Sequence, residues 1–209
     1  ETAFSPNANK SLRTFSAAEV AYYLGVTEDQ LRKAHQSKAI PDVELTAGNR
    51  RRYRVEQMWQ IREIFAKITG QPLKFLPGRH ADTDGVQVWA FVNFKGGSAK
   101  TASAIHVSHA LSLRGYRVLV VDCDPQASIT TFFGYQPEID FFNFGSLYDA
   151  IKYEDHETGI GPVKLSQIIK KSYFYNLDIV PGGIQVSEFE TETPAALSRG
   201  ELPIFFDKI

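Results

Sequence analysis

The chain has 209 residues, 43% of them hydrophobic, and a single cysteine; this excludes an internal disulfide and allows one large or two small domains with hydrophobic cores. No apolar run approaches about 18 residues, so a membrane-spanning helix is not expected. Residues 1–5 lack the basic and apolar blocks of a signal peptide. These features predict a cytoplasmic protein in a reducing compartment, with Cys123 as a buried thiol and not a nucleophile.

The net charge of −1 hides an asymmetry along the chain. Residues 1–80 hold 13 Lys and Arg against 8 Asp and Glu, a balance of +5, whereas residues 81–209 hold 10 against 16, a balance of −6. Such a split predicts two modules, of which the first faces an anionic partner. The alternative is that the split arises by chance.

Two short helices are predicted at the start of the first module. Ser16 and Glu19 form a capping-box pattern that opens a helix ending at Gly25. Thr27 and Gln30 repeat the pattern and open a second helix. Two short helices joined by a glycine-containing turn are typical of a helix-turn-helix, whose second helix enters the major groove of DNA.

A basic hairpin and a longer helix are predicted next. Gly48-Asn49 is typical of a hairpin turn, and the residues after it are Arg50, Arg51 and Arg52. Arginines on such a wing can contact phosphates. Apolar residues from Val55 to Ile68 then predict an amphipathic helix.

This order of elements resembles the winged helix-turn-helix of the MerR type. The matching segments are Ser16–Val26, Leu31-Arg32 and the run from Arg52 to Met58. The resemblance and the basic residues predict DNA contacts by Gln30, Lys33, Arg50, Arg51 and Arg52. A small helical domain that packs on another protein is the alternative.

A second module is predicted after a linker at residues 71–85, which is interrupted by proline and glycine. Residues 86–92 have the composition of a buried strand, and a loop, a helix from Ala102 to about Leu113 and a second strand at 117–121 follow. Strand, loop, helix and strand in this order predict a βαβ unit with a parallel sheet.

The loop between the first predicted strand and its helix suits a phosphate group. Gly96 and Gly97 let the backbone amides approach phosphate oxygens, and the helix N-terminus adds a positive dipole end. Lys100 supplies a full charge and the Thr101 hydroxyl can bind Mg²⁺. An aspartate at the end of the next strand can hold metal-bound water or orient the attacking water.

Lys95–Thr101 and Asp122–Ser128 together resemble the deviant Walker loop and first switch of the ParA/MinD family of ATPases. The resemblance implies an α/β P-loop domain that binds ATP/ADP and Mg²⁺. It implies that Lys95 reaches the nucleotide of the other subunit in a homodimer, that Asp124 positions the hydrolytic water, and that Thr101 and Asp122 serve the metal shell. The implied nucleotide-binding residues are Lys95, Gly96, Gly97, Ser98, Ala99, Lys100, Thr101 and Ala102. A solvated lysine at the loop edge is the alternative for Lys95, and a strand-end turn for the two aspartates.

Two positions depart from the family pattern. Ala99 replaces a glycine, which matters if that residue needs a positive φ. Ala102 replaces a hydroxyl residue and removes a contact to the α-phosphate. A Walker B strand is not found after Ile179, so the chain is expected to be the N-terminal part of a longer ATPase.

The remaining predicted elements are a helix at 145–151, a helix at 168–171, a strand at 176–182 and a helix opened by a capping box at Ser187. With the module order, they resemble the ParA subtype of repABC-type plasmids, called RepA. The predicted organisation is a small winged helix-turn-helix domain at 1–70, a linker at 71–85 and the N-terminal part of a parallel-sheet P-loop domain at 86–209.

The resemblance implies a plasmid partition ATPase that dimerises and binds DNA, associates with the bacterial nucleoid, is stimulated by a ParB-type centromere-binding protein and represses its own operon. The main alternative is a nucleotide-binding transcriptional regulator without hydrolysis. A small-molecule kinase and an interaction scaffold without nucleotide affinity are the other two.

Overall fold

The computed structural model describes residues 12–78, 85–141, 143–155 and 158–201. These residues fall into two compact units. The N-terminal unit runs to Val118 and includes Phe174–Asn176, and the C-terminal unit comprises Leu119–Tyr173 and residues from Leu177 onward.

Two capped helices open the N-terminal unit, as predicted. α1 (Ala17–Leu24) and α2 (Glu28–Gln36) both begin with a complete capping box. The Ser16 amide donates to Glu19 Oε2 at 2.8 Å, and the Thr27 amide donates to Gln30 Oε1 at 2.9 Å. α1 ends at Gly25, whose φ of 67° is the left-handed conformation that glycine adopts without strain.

A small antiparallel sheet and a long helix complete this module. β1 (Phe15–Ser16), β2 (Glu44–Leu45) and β3 (Arg51–Tyr53) pair in the order β1-β3-β2. The β2–β3 connection turns at Asn49, with a φ of 54°. α3 (Val55–Thr69) follows and buries Met58, Trp59 and Ile61. The predicted hairpin and amphipathic helix are therefore confirmed.

The start of the predicted linker is packed into the N-terminal unit. α4 (Pro72–Phe75) lies within it. The Phe75 ring is buried, and its centroid lies 5.5 Å from the centroid of the Phe65 ring. The next helix, α5 (Lys100–Leu113), belongs to the same unit. The N-terminal unit thus contains described residues on both sides of the segment 71–85, which the sequence predicts as a linker.

The predicted buried strand at 86–92 is wrong. The chain there has no regular secondary structure, and Val86, Val88 and Val92 are at least 75% exposed. A strand needs a neighbouring strand to pair its amides and carbonyls. Among the described residues, no strand pairs with this segment.

The C-terminal unit is built around a short mixed sheet. β4 (Val118–Val121), β5 (Lys170–Lys171) and β6 (Leu177–Val180) pair in the order β4-β6-β5. The amides of Val118 and Asp122 donate to the carbonyls of Asn176 and Val180, so β4 and β6 run in the same direction. β5 runs antiparallel to β6. The parallel pair confirms part of the predicted sheet.

The described part of the C-terminal unit also contains α6 (Ser128–Phe132), α7 (Pro137–Asp140), α8 (Leu147–Ile151), a 3-10 turn at Leu165–Gln167 and α9 (Val186–Ser198). The predicted helix at 168–171 is wrong, because Lys170 and Lys171 pair with β6 instead. The predicted capping box at Ser187 is also wrong, since the N-cap of α9 is Gln185, two residues earlier. One hydrophobic cluster of buried residues in this unit consists of Leu147, Ala150, Ile151, Ile168, Val180 and Val186. In the described ranges, no helix combines the length and apolar character needed to cross a bilayer.

Candidate functional site

The predicted phosphate loop ends on the first turn of a 14-residue helix. α5 begins at Lys100, so Lys100 and Thr101 occupy the helix end whose amides have no intrahelical acceptors. On the other side of the loop, the Lys95 amide donates to Asn93 Oδ1 at 2.8 Å. The loop therefore presents amides, an ammonium group and a hydroxyl at one helix N-terminus, where anions are stabilised.

The loop has room for an anion. Apart from the adjoining residues, no atom of the described part of the chain lies within 4 Å of the position that a Cβ would take at Gly96 or Gly97. The Ser98 hydroxyl oxygen is buried and, among the described residues, has no hydrogen-bond partner. A buried polar atom without a partner is costly, so a phosphate oxygen at this loop would fit the donors present.

Ala99 adopts the backbone conformation that glycine favours. Its φ of 61° and ψ of 22° lie in the left-handed region. A side chain with a Cβ costs about 1–2 kcal/mol there relative to glycine. The departure from the family pattern therefore falls at a position where the missing glycine has a physical effect.

Asp122 lies at the end of β4 and is almost completely enclosed, with 1% of its surface exposed. Its Oδ2 accepts hydrogen bonds from the Thr130 hydroxyl at 2.7 Å and from the Thr130 amide at 2.9 Å. Its Oδ1 accepts from the Asp124 amide at 3.3 Å. The carboxylate thus anchors the start of α6 to the strand end.

Asp124 is exposed and stands on a tight turn. Its Oδ1 accepts from the Gln126 amide at 2.9 Å, and its carbonyl accepts from the Ala127 amide at 2.8 Å. Cys123, beside it, is exposed, so the expectation of a buried thiol is wrong. The turn itself presents both side chains to solvent.

Two residues of this turn's surroundings were not singled out from the sequence: Thr130 and Gly182. A Cβ on Gly182 would lie 2.8 Å from the Asp122 carbonyl and 3.1 Å from the Asp124 carbonyl. A glycine directly after an apolar strand is a weak signal of such a close approach. The pairing of Thr130 with Asp122 has no signal in a single sequence.

The predicted DNA-binding residues divide between the second helix and the hairpin. The Gln30 side chain is used in the capping box of α2, and Lys33 Nζ pairs with Asp29 Oδ2 at 2.8 Å. Hydrogen bonds from Lys33 and then Arg32 lower the pKa of Asp29. The structure therefore commits Gln30 to its own helix and leaves Lys33 in an exposed, solvent-screened pair.

The three predicted arginines lie next to one another on the β2–β3 hairpin. Arg50 is exposed, and Arg51 and Arg52 pair across from Leu45 and Glu44 in the register of the sheet. The hairpin is therefore a compact basic edge. The predicted phosphate-binding residues and this hairpin belong to the N-terminal unit, and the two predicted aspartates belong to the C-terminal unit.

A family model described as "AAA domain" matches residues 86–207, which is more than half of the chain. This chain belongs to the AAA domain family. Its relatives place this AAA domain in the ParA/MinD group, the family that the sequence resembles.

Two curated relatives show how much of the chain is shared. "Putative replication protein A" from Sinorhizobium fredii (strain NBRC 101917 / NGR234) is 41% identical over 197 residues, covering 94% of this chain and 46% of the relative. "Protein SopA" from Escherichia coli (strain K12) is 28% identical over 204 residues, covering 95% and 48%. The chain thus spans about half the length of the curated relatives it matches.

The fold is similar to that of a solved structure titled "Partition Protein". The TM-score is 0.50 at 16% identity, with 92% of this chain and 51% of that chain covered. At that identity the likeness concerns the fold alone. The AAA domain has the P-loop α/β fold of ParA-like proteins.

Proposed function

We propose that this chain carries the nucleotide-binding loop of a RepA-type plasmid partition ATPase that binds ATP/ADP with Mg²⁺ and works as a homodimer. The observation that carries the proposal is the open glycine loop that leads directly into α5, with Lys100 and Thr101 in the first turn. That arrangement offers a triphosphate inward amides and a charge at one place. Family membership supports the same assignment.

Each loop residue has a distinct task in this proposal. Gly96 and Gly97 supply close backbone approach, and Lys100 compensates the charge of the β- and γ-phosphates. The Thr101 hydroxyl would hold Mg²⁺, a cation that takes few protein ligands beside phosphate oxygens and water. The side chain of Lys95 is exposed and is proposed to reach the nucleotide of the second subunit.

The two aspartates have different tasks. Asp124, exposed on its turn, is proposed to orient the hydrolytic water. Asp122 accepts three hydrogen bonds from protein groups, so we propose that it serves the metal shell by fixing the turn. Bound Mg²⁺ would supply charge stabilisation to the phosphates.

We also propose that the N-terminal module is a winged helix-turn-helix that binds the operator of its own operon. α1 and α2 with the β1-β3-β2 sheet provide the arrangement, and Arg50, Arg51 and Arg52 provide a basic wing. Residues 1–80 carry a balance of +5, which favours an anionic partner. ATP-dependent binding to nucleoid DNA and stimulation by a ParB-type protein complete the proposal.

A titration of Mg²⁺-ATP against wild type and Lys100→Ala tests the nucleotide site. We expect the variant to lose affinity by about tenfold or more, since a desolvated charge contact to phosphate is lost. Lys67→Ala, at an exposed lysine on α3, is the matched control and should bind as wild type does. Equal binding by Lys100→Ala and wild type would remove the site assignment.

The double variant Arg50→Ala/Arg51→Ala tests the wing. We expect weaker DNA binding and a salt dependence whose slope falls by roughly 1–2, because up to two phosphate contacts are lost. Arg117→Ala, at an exposed arginine of the same unit, should keep the slope. An unchanged slope in the double variant would exclude the wing as a phosphate contact.

A nucleotide-binding regulator without hydrolysis is a second candidate. The strained Ala99 and the enclosed Asp122 carboxylate favour it, because both depart from a site open to metal and nucleotide. ATP turnover measured with DNA and the partner protein separates the two. Nucleotide binding without turnover would support the regulator.

A further inference from the structure

A single buried hydroxyl group, that of Thr130, supports the turn that carries Asp124. Thr130 Oγ1 donates to Asp122 Oδ2 at 2.7 Å and accepts from the Gly182 amide at 2.8 Å. Thr130 is fully buried, Asp122 is 1% exposed, and Gly182 is also buried. The hydroxyl of Thr130, in the first turn of α6, therefore links Asp122 at the end of β4 to Gly182, which lies two residues after β6.

These contacts leave the turn little room to shift. The Asp124 amide is held by Asp122 Oδ1, and a Cβ at Gly182 would come within 3.0 Å of the Asp122 carboxyl carbon. A buried hydrogen-bond network in which every group is paired favours one arrangement over its alternatives. The position of Asp124 thus depends on the buried groups of Asp122, Thr130 and Gly182.

Only a hydroxyl of this size satisfies both neighbours. It must donate to a carboxylate and accept from an amide, which Ser and Thr side chains can do together. A valine has nearly the same shape but would leave the Gly182 amide without its acceptor and Asp122 Oδ2 with one donor fewer. A serine keeps both bonds and removes only a methyl group.

We propose that Thr130 is a positioning residue whose hydroxyl, held between Asp122 and the Gly182 amide, fixes the turn that presents Asp124. The catalytic consequence rests on the proposed ATPase function. The structural part of the proposal concerns the nucleotide-free protein and can be measured without ATP.

The turn contains its own reporter. Cys123 is the only cysteine in the sequence, lies between Asp122 and Asp124, and is exposed. Its reaction rate with a thiol reagent such as 5,5′-dithiobis(2-nitrobenzoate) reports the conformation of this turn. No introduced label is needed.

We expect Thr130→Val to label about five times faster than wild type without nucleotide, because a turn that loses one buried hydrogen bond opens more often and frees the Cys123 thiol from the Val121 carbonyl 4.0 Å away. Thr130→Ser should label within about twofold of wild type, since both bonds remain. Thr131→Val is the matched control. Thr131 is exposed and its hydroxyl donates to the carbonyl of Ala127, the N-cap of α6, at 3.1 Å, so this variant should label as wild type does.

A wild-type labelling rate in Thr130→Val, or fast labelling in Thr130→Ser, would overturn the proposal. Thr130→Ser decides the matter alone if the valine variant does not fold, because fast labelling would assign the effect to the methyl group. With Mg²⁺-ATP, Thr130→Val should keep its nucleotide affinity and lose turnover. Absence of nucleotide binding in wild type would instead reject the proposed ATPase and leave the labelling result standing.

Discussion

Residues 12–78 and residues 85–99 belong to the same compact unit. They differ in the hydrogen bonding of their backbone and in the burial of their apolar side chains. The first region closes its helix ends with capping boxes and buries residues such as Leu24 and Trp59. The second exposes Val86 and Phe94 almost completely. The contrast shows that contacts within a few residues complete a helical module, whereas a strand needs partners from distant parts of a chain.

One buried arginine connects residues 12–78, the ordered region, with α5, the helix that follows the phosphate loop. Arg62, 1% exposed, donates to the carbonyls of Tyr23, Phe75 at 3.3 Å and Leu113 at 2.6 Å. Desolvation lowers its pKa to about 10, so it stays charged at neutral pH. α5 is therefore anchored at its C-terminal end, which packs on the N-terminal helices, and open at its N-terminal end, which carries Lys100.

The largest effect is expected from removing that anchor. Arg62→Met should destabilise the protein by about 3 kcal/mol, because three buried carbonyls lose a charged donor. For a chain of this size, the melting temperature should fall by roughly 6–12 °C. Thermal unfolding followed by circular dichroism measures the change.

Arg114→Met is the matched control for this prediction. Arg114 is exposed and its guanidinium lies 3.4 Å from the Tyr22 hydroxyl, so its loss should change stability by less than about 0.5 kcal/mol. Similar melting temperatures for the two variants would show that Arg62 does not anchor α5.

The same contrast explains which parts of the molecule a sequence predicts. The capping boxes at Ser16 and Thr27 and the turn at Asn49 depend on neighbouring residues, and the structure has them where the pattern places them. The segment 86–92 has the composition of a strand, but no described strand pairs with it. Lys170 and Lys171 pair with β6 instead of forming the predicted helix. Pairing partners are not encoded in the segment itself.

The candidate site divides in the same way. The loop residues are recognisable because glycines, Lys100 and Thr101 stand at fixed spacing, and α5 begins where that spacing requires. The Thr130 hydroxyl donates to Asp122 from 8 positions away and accepts from the Gly182 amide 52 positions further on. Such contacts arise from the packing of separate elements, so one sequence gave no means of predicting them.

A smaller effect is expected from relieving strain in the exposed loop. Ala99→Gly removes a Cβ from a left-handed residue and should raise Mg²⁺-ATP affinity about fivefold, which corresponds to about 1 kcal/mol. The gain arises because the bound loop needs the left-handed conformation at residue 99, and the free loop populates that conformation more readily with glycine than with alanine. Isothermal titration calorimetry on both proteins measures the difference.

Ala47→Gly controls for the added flexibility of a glycine. Ala47 is exposed in the hairpin turn of the same unit, and its replacement should leave nucleotide affinity unchanged. Weaker binding by Ala99→Gly would indicate that the loop changes conformation on binding, and the contrast between a strained loop and a relaxed module would then not hold for the bound state.

The smallest effect concerns a single capping box in the ordered region. A hydrogen bond from the Ser16 amide, reinforced by Arg13, lowers the pKa of Glu19 from 4.5 to about 2. Because the folded pKa lies below the unfolded one, this stabilisation is fully present above pH 4.5 and is lost as the pH falls toward 2. The side chain is 37% exposed, so solvent screening limits its contribution to roughly 0.5–1 kcal/mol.

Glu19→Gln keeps the shape of the capping box but not its charge. The melting temperature of wild type should exceed that of the variant by about 1–4 °C at neutral pH, and the difference should shrink below pH 4.5 and vanish near pH 2. Glu28→Gln, in the first turn of α2, removes an equal charge and separates the helix-dipole effect from the capping bond. A difference that stays constant down to pH 2 would mean that the Ser16 amide does not select the ionised carboxylate, and the ordered region would owe its closed helix start to packing alone.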